Sequence, residues 1–231
     1  MRLRSLSFLP VLVLGSAAFG AACGASLPEP FALQWRGVDS SPSPSARVRT
    51  ALAGKTFKIE NTVDRRADPS KIGIDTDSHY EYRTTSNVAA FCNDRIKAMV
   101  QAAGFNLVQQ GDYIIQSEIA ELTVNEGGTF AGDARITFRV FSPGKPAFER
   151  LYEGSSRRWG RSHEPDNINE ALSNSLASAT QKLLEDEALA DFLEGKAASP
   201  AATPQANSAA PAPAPAAAPK PASSGKGAYN L

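Results

Sequence analysis

Residues 111–126 read GDYIIQSEIAELTVNE, and the fold turns on how this stretch is read. Tyr113, Ile115 and Ile119 share one parity with Ser117 between them, while Gln116, Glu118 and Ala120 share the other. A two-residue period with one apolar side is a strand with one buried face. Leu122 and Val124 continue the apolar run on the opposite parity, which predicts a bulge or bend near residues 120–122. Gly127 and Gly128 supply a turn, and Ala134, Ile136, Phe138 and Val140 alternate beyond it. The simplest reading is a hairpin.

Working outward, residues 56–63 read as a first strand through Phe57, Ile59 and Val63. Ser86 and Asn87 supply an N-cap for a helix whose stripe is Val88, Phe91, Cys92, Ile96, Met99, Val100 and Ala103. Gly104 ends it as a left-handed cap, and Phe105, Leu107 and Val108 start a short strand. Downstream, Pro143 to Pro146 form a turn and residues 147–159 a third meander strand. A last helix opens near Asp166 and runs through Leu172, Leu176, Leu183, Leu189 and Leu193. This order predicts an α+β fold, one mostly antiparallel sheet of about four to five strands covered by two helices.

The two ends read differently. Arg2 and Arg4, an apolar run from Leu6 to Leu14 and then small residues give residues 1–22 the order of a secretory signal. Cys23 follows Gly20, Ala21 and Ala22, a pattern that resembles a bacterial lipobox and makes Cys23 the expected site of acylation. Gly20 stands where that pattern has an aliphatic residue. The alternatives are cleavage at an Ala-x-Ala-like site, giving a soluble periplasmic product, and pairing of Cys23 with Cys92 in an oxidising compartment. Residues 23–50 read as a tether with Phe31, Leu33 and Trp35 spaced for docking, and residues 51–195 as the domain. Residues 196–231 are Ala/Pro-rich and expected to be disordered, able to extend on the order of 100 Å.

Lys plus Arg equals Asp plus Glu at 24 each, which argues against nucleic acid as a partner. Two cysteines are too few for a disulfide scaffold or a thiolate zinc site. Asp75, Asp77 and His79 resemble the opening of a calcium loop, but the sixth-position glycine and the closing acid are missing. His79 and His163 read as exposed loop residues, not as a metal pair. Ser162, His163 and Asp166 evoke a triad, yet near neighbours rarely adopt that geometry and no Gly-x-Ser-x-Gly elbow is present. Cys92 lies on the apolar helix face and reads as a buried thiol. No catalytic residue, cofactor or metal ligand is expected. What remains is a surface, Arg157, Arg158 and Arg161 around Trp159; Arg and Trp are the types that anchor interfaces. The competing reading is a solvated edge whose charges discourage strand addition.

With Cys23, the strand ending in Val63, Asp64, Arg65 and Arg66, the helix running into Gly104 and Phe105, the long strand from Tyr113 and the final helix with Leu183 and Leu184, the chain resembles the YajG-type envelope lipoproteins of Gram-negative bacteria. The resemblance implies a small α+β periplasmic domain tethered to the outer membrane, without catalytic residues, and a structural turn role for Asp64 and Arg66. The expectation is a non-enzymatic cell-envelope lipoprotein on the periplasmic face of the outer membrane. Its partners would be the membrane, through the acyl anchor, and another envelope protein or peptidoglycan, with no small-molecule ligand. The alternatives are an auxiliary lipoprotein of an envelope lipid-transport system and, last, a hydrolase.

Overall fold

The computed structural model describes residues 29–37, 42–144, 146–160 and 163–196. The signal, Cys23, Arg161, Ser162 and the Ala/Pro-rich tail lie outside the described residues. In chain order the elements are α1 (Ala46–Leu52), β1 (Thr56–Ile59), β2 (Val63–Asp64), β3 (Lys71–Asp75), β4 (Glu81–Arg83) and α2 (Val88–Ala102). They continue with β5 (Asn106–Leu107), β6 (Tyr113–Glu126), β7 (Thr129–Phe141), β8 (Phe148–Trp159), α3 (Pro165–Glu185) and α4 (Glu187–Leu193).

The fold is α+β, and β6 is its spine. On one edge β6 pairs antiparallel with β7, which pairs antiparallel with β8, giving the expected meander. The register slips between Ile119 and Glu121, which is the bulge that the change of parity required. On its other edge β6 takes β1, β2 and β3 in succession, all parallel. β5 lies beyond β1 and β4 beyond β3. The sheet therefore has eight strands of mixed direction, where four to five mostly antiparallel strands were expected.

The difference has local causes. Residues 56–63 are not one strand, because at Thr62 the backbone amide turns away to donate to Asn93 Oδ1 (3.2 Å) and the hydroxyl meets that of buried Ser117 (2.7 Å). β3 and β4 are only five and three residues long, too short to display a period. The single last helix is two, since Asp186 is extended (φ −73°, ψ 112°) and caps α4 by accepting from Ala188 N–H (2.8 Å). Its other carboxylate oxygen accepts from Tyr152 Oη (2.6 Å) and Arg150 (2.7 Å). That tertiary clasp fixes the break.

The helices cover one face of the sheet. α2 has the predicted cap, Asn87 accepting from Ala90 N–H (3.0 Å), and buries Val88, Cys92, Ile96, Met99 and Val100. Gly104, at φ +99°, ends it in the conformation glycine adopts without strain. α3 seats directly on the backbone of β7 and β8. A Cβ at Gly132 would lie 2.4 Å from Ala171 O, and one at Gly154 2.0 Å from Ser175 O. Phe57, Ile115, Ile119, Ile136, Phe138 and Leu172 fill the layer between helices and sheet, each contributing about 1.5–3 kcal/mol by its burial.

Part of the stretch expected to be a tether is built into this layer. Phe31 bridges to Thr84 beside β4, with Phe31 N–H donating to Arg83 O (3.2 Å). The next residues cross α3, Gln34 N–H donating to Asn169 Oδ1 (3.1 Å) and Arg36 N–H to Ser173 Oγ (3.0 Å). Trp35 stands 6.4 Å from Phe91, ring to ring, under the Arg95 guanidinium. These acceptors on α3 are buried, so the strap satisfies them. α1 follows, capped by Ser45 and docked by Val48, Ala51 and Leu52, while Arg47 reaches Glu187, Asp191 and Glu194 around α4. A two-turn helix in a Ser/Pro-rich setting carries too few apolar positions to be read from spacing.

Candidate functional site

Polar side chains converge where β3 and β6 end. Glu126 closes β6 on the parity of Leu122 and Val124, so its carboxylate is carried inward and is fully buried. Its carbonyl accepts from Thr76 N–H (2.7 Å) and Thr76 Oγ1 (2.8 Å). Tyr82, buried on β4, donates its hydroxyl to Glu126 Oε2. His163 Nδ1 lies 2.7 Å from Tyr82 Oη, 3.4 Å from Glu126 Oε2 and 3.8 Å from Asp75 Oδ2. His163 N–H also donates to Glu126 Oε1 (3.2 Å), and His163 sits at φ +50°, a left-handed conformation uncommon away from glycine.

Proton counting orders the chain of groups. The single phenolic proton of Tyr82 goes to Glu126, so a hydrogen bond between Tyr82 and His163 requires the proton on Nδ1 of His163. Burial, and then the hydrogen bond to Glu126, push the Tyr82 hydroxyl well above its ordinary pKa, which keeps it a donor. Asp75 is held below the usual carboxylate range, first by the Ser78 hydroxyl donating to it (2.6 Å) against the opposing effect of burial. Its Oδ1 accepts from Asp77 N–H (2.9 Å). Asp75 therefore uses its oxygens to close its own loop instead of facing outward as a calcium ligand.

A carboxylate, a phenol and an imidazole thus run from the interior to a half-exposed ring, tying the start of α3 to the end of the sheet. Both carboxylates are closed to solvent at 0% and 1% exposure, so only the His163 ring can meet a solute. Asp166 lies against Arg36 (3.2 Å), while His163 turns its Nδ1 to Tyr82 and Glu126. Among the described residues no group of His, Cys, Asp and Glu is arranged to hold a metal ion. Cys92 is fully buried, its thiol pushed up to about 12 by burial. Spacing alone does not bring Tyr82 to Glu126, but one signal was legible: Glu126 is a carboxylate on an apolar parity.

The predicted surface residues divide across β8. Arg158 faces the helices and pairs with Glu170 of α3. Arg157 and Trp159 face the other way, opposite Ala131 and Thr129 on the side of the sheet without helices. Trp159 is 87% exposed. That bare side carries crossed ion pairs, Arg139 with Glu149 (2.9 Å) and Arg135 with Glu153 (3.2 Å). A shallow depression of about 250 Å³ opens on it between Val63, Gln116, Glu118 and Arg139.

Neither a protein-family model nor a curated protein sequence matches this chain. Solved structures resemble it in part. A Xanthomonas campestris protein of the family DUF330 is 11% identical, with a TM-score of 0.47 over 68% of this chain and 93% of its own. A Caulobacter crescentus protein provisionally assigned as a lipoprotein is 12% identical, with a TM-score of 0.39 over 64% and 97%. The dodecameric PelC of Paraburkholderia phytofirmans is 14% identical, with a TM-score of 0.37 over 57% and 86%. At these scores none of them lends its assembly or its role to the present chain.

Proposed function

We propose that this chain is a non-enzymatic lipoprotein of the bacterial cell envelope, anchored through Cys23, whose α+β domain docks another envelope component on the bare face of its sheet. The observation that supports this most is the placement of its polar groups. Asp75, Glu126 and Cys92 are buried, leaving the His163 ring as the part of the polar cluster that solvent reaches, whereas the bare face offers a row of charged side chains. The β6–β8 meander is antiparallel, the kind of sheet that keeps one face in solvent without loss of stability, so that face is free to bind.

The test is photo-crosslinking in intact cells from a benzophenone side chain at Thr137 or at Ser155, both outward on the bare face. One discrete protein or peptidoglycan adduct is expected from each position. Adducts no stronger than from Val108, which is exposed beyond β5, would contradict the reading. For the anchor, globomycin should leave an unprocessed precursor; normal maturation under the drug would point instead to a soluble periplasmic product. As for lipid transport, the layer between helices and sheet is filled by apolar side chains at 9% exposure or less. An auxiliary role there would be that of a docking subunit, not a lipid carrier. No helix among the described residues is long and apolar enough to cross a membrane.

A further inference from the structure

The end of β8 carries two side chains without a partner among the described residues, and we propose that Trp159 and Arg157 rest in the headgroup layer of the membrane to which Cys23 is attached. The inference rests on the reading of Cys23 as an acylated anchor and adds which end of the domain faces the bilayer.

Among the described residues Trp159 is by far the most exposed large apolar side chain, at 87% against 42% for Val63 and 37% for Val108. An indole, apolar with one N–H donor, suits the headgroup level of a bilayer. Arg157 projects beside it on the same face, opposite Ala131. Arg135 and Arg139 on that face are matched by Glu153 and Glu149, but Arg157 has no ion-pair partner among the described residues. It is the cation left over for a lipid phosphate. A patch of one Trp and one Arg is small beside the roughly 800 Å² each partner buries in a stable protein interface. It fits a shallow contact held in place by a nearby anchor.

The anchor is nearby. Arg158, between the two residues in sequence, pairs with Glu170 at the start of α3. The strap crosses that same start, at Asn169 and Asp166. Upstream, its first contact among the described residues is Phe31, beside Thr84, two residues from the Tyr82 that bonds His163. Cys23 and Phe31 are eight residues apart in sequence, a reach of at most about 29 Å. Acyl chains on Cys23 therefore hold this end of the domain at the bilayer surface.

The experiment uses the mature protein from envelopes with Trp35→Phe, leaving Trp159 as the single indole, in vesicles of brominated phosphatidylcholine with or without phosphatidylglycerol. Quenched, blue-shifted emission is expected, stronger with the anionic lipid, and Arg157→Gln should weaken the anionic-lipid contribution about fivefold. Unquenched emission of a water-exposed indole, from protein whose mass shows acylated Cys23, would overturn the proposal. Should the mass show a bare Cys23, the anchor reading fails separately. The same protein added to phosphatidylglycerol vesicles then decides, quenching upholding the Trp159 contact and its absence removing it. A protein adduct in place of lipid from a crosslinker at position 159 would also overturn it.

Discussion

Arg66 is the side chain on which most of one end of the sheet depends. It is 8% exposed and grips Asp64 with both arms of its fork, at 2.9 and 2.7 Å, while donating to the carbonyls of Lys71, Leu122 and Pro69. Arg66→Ala would strand the largely covered Asp64 carboxylate and three acceptors, and should lower unfolding free energy by about 3 kcal/mol in urea titration. Arg66→Lys should recover only part, since an ammonium cannot reproduce the fork. Carboxylates set the acid limit. Asp75 and Asp68 both lie below their ordinary range, Asp68 at about 2 chiefly through the Ser70 hydroxyl. The folded chain then binds fewer protons than the unfolded one, so this contribution is complete above about pH 4 and fades as pH falls towards 2. The urea midpoint should be flat from pH 7 to 5 and drop below 4; a midpoint rising on acidification would contradict the assignment. At this scale Cys92 was legible because apolar spacing fixed its face. The Tyr82, Glu126 and His163 contacts were not, because each joins segments at least 37 residues apart.

Among the elements, α3 decides the packing. Its backbone meets the sheet where β8 has Gly154, and a methyl group there would sit 2.0 Å from Ser175 O. Gly154→Ala should therefore cost on the order of 1–3 kcal/mol by overpacking, visible as a fall in Tm. An unchanged Tm would mean that α3 does not seat as described. The meander, its bulge and the capped α2 were readable because each carries its own periodicity or cap. The parallel edge of β6 was not, since β2 and β3 acquire their direction only by lying along a strand that the sequence places far downstream. Asp186 likewise ends α3 through Tyr152 and Arg150, partners that no local pattern reveals.

For the molecule as a whole, the strap changes what the anchor can do. Residues 31–36 are bonded to Arg83, Asn169 and Ser173, so on the proposed anchoring through Cys23 the leash would be short and would limit how far the domain can turn. In the proposed function the bare face would be the surface presented to other envelope components, while the interior polar cluster fastens the start of α3 to the sheet. The measurement that separates these roles is the yield of the Ser155 crosslink in cells carrying either Arg135→Glu with Arg139→Glu or His163→Gln. The account predicts loss of the adduct with the charge reversals on the bare face and an unchanged yield with His163→Gln. Loss with His163→Gln in a chain that is still folded, and none with the reversals, would contradict it.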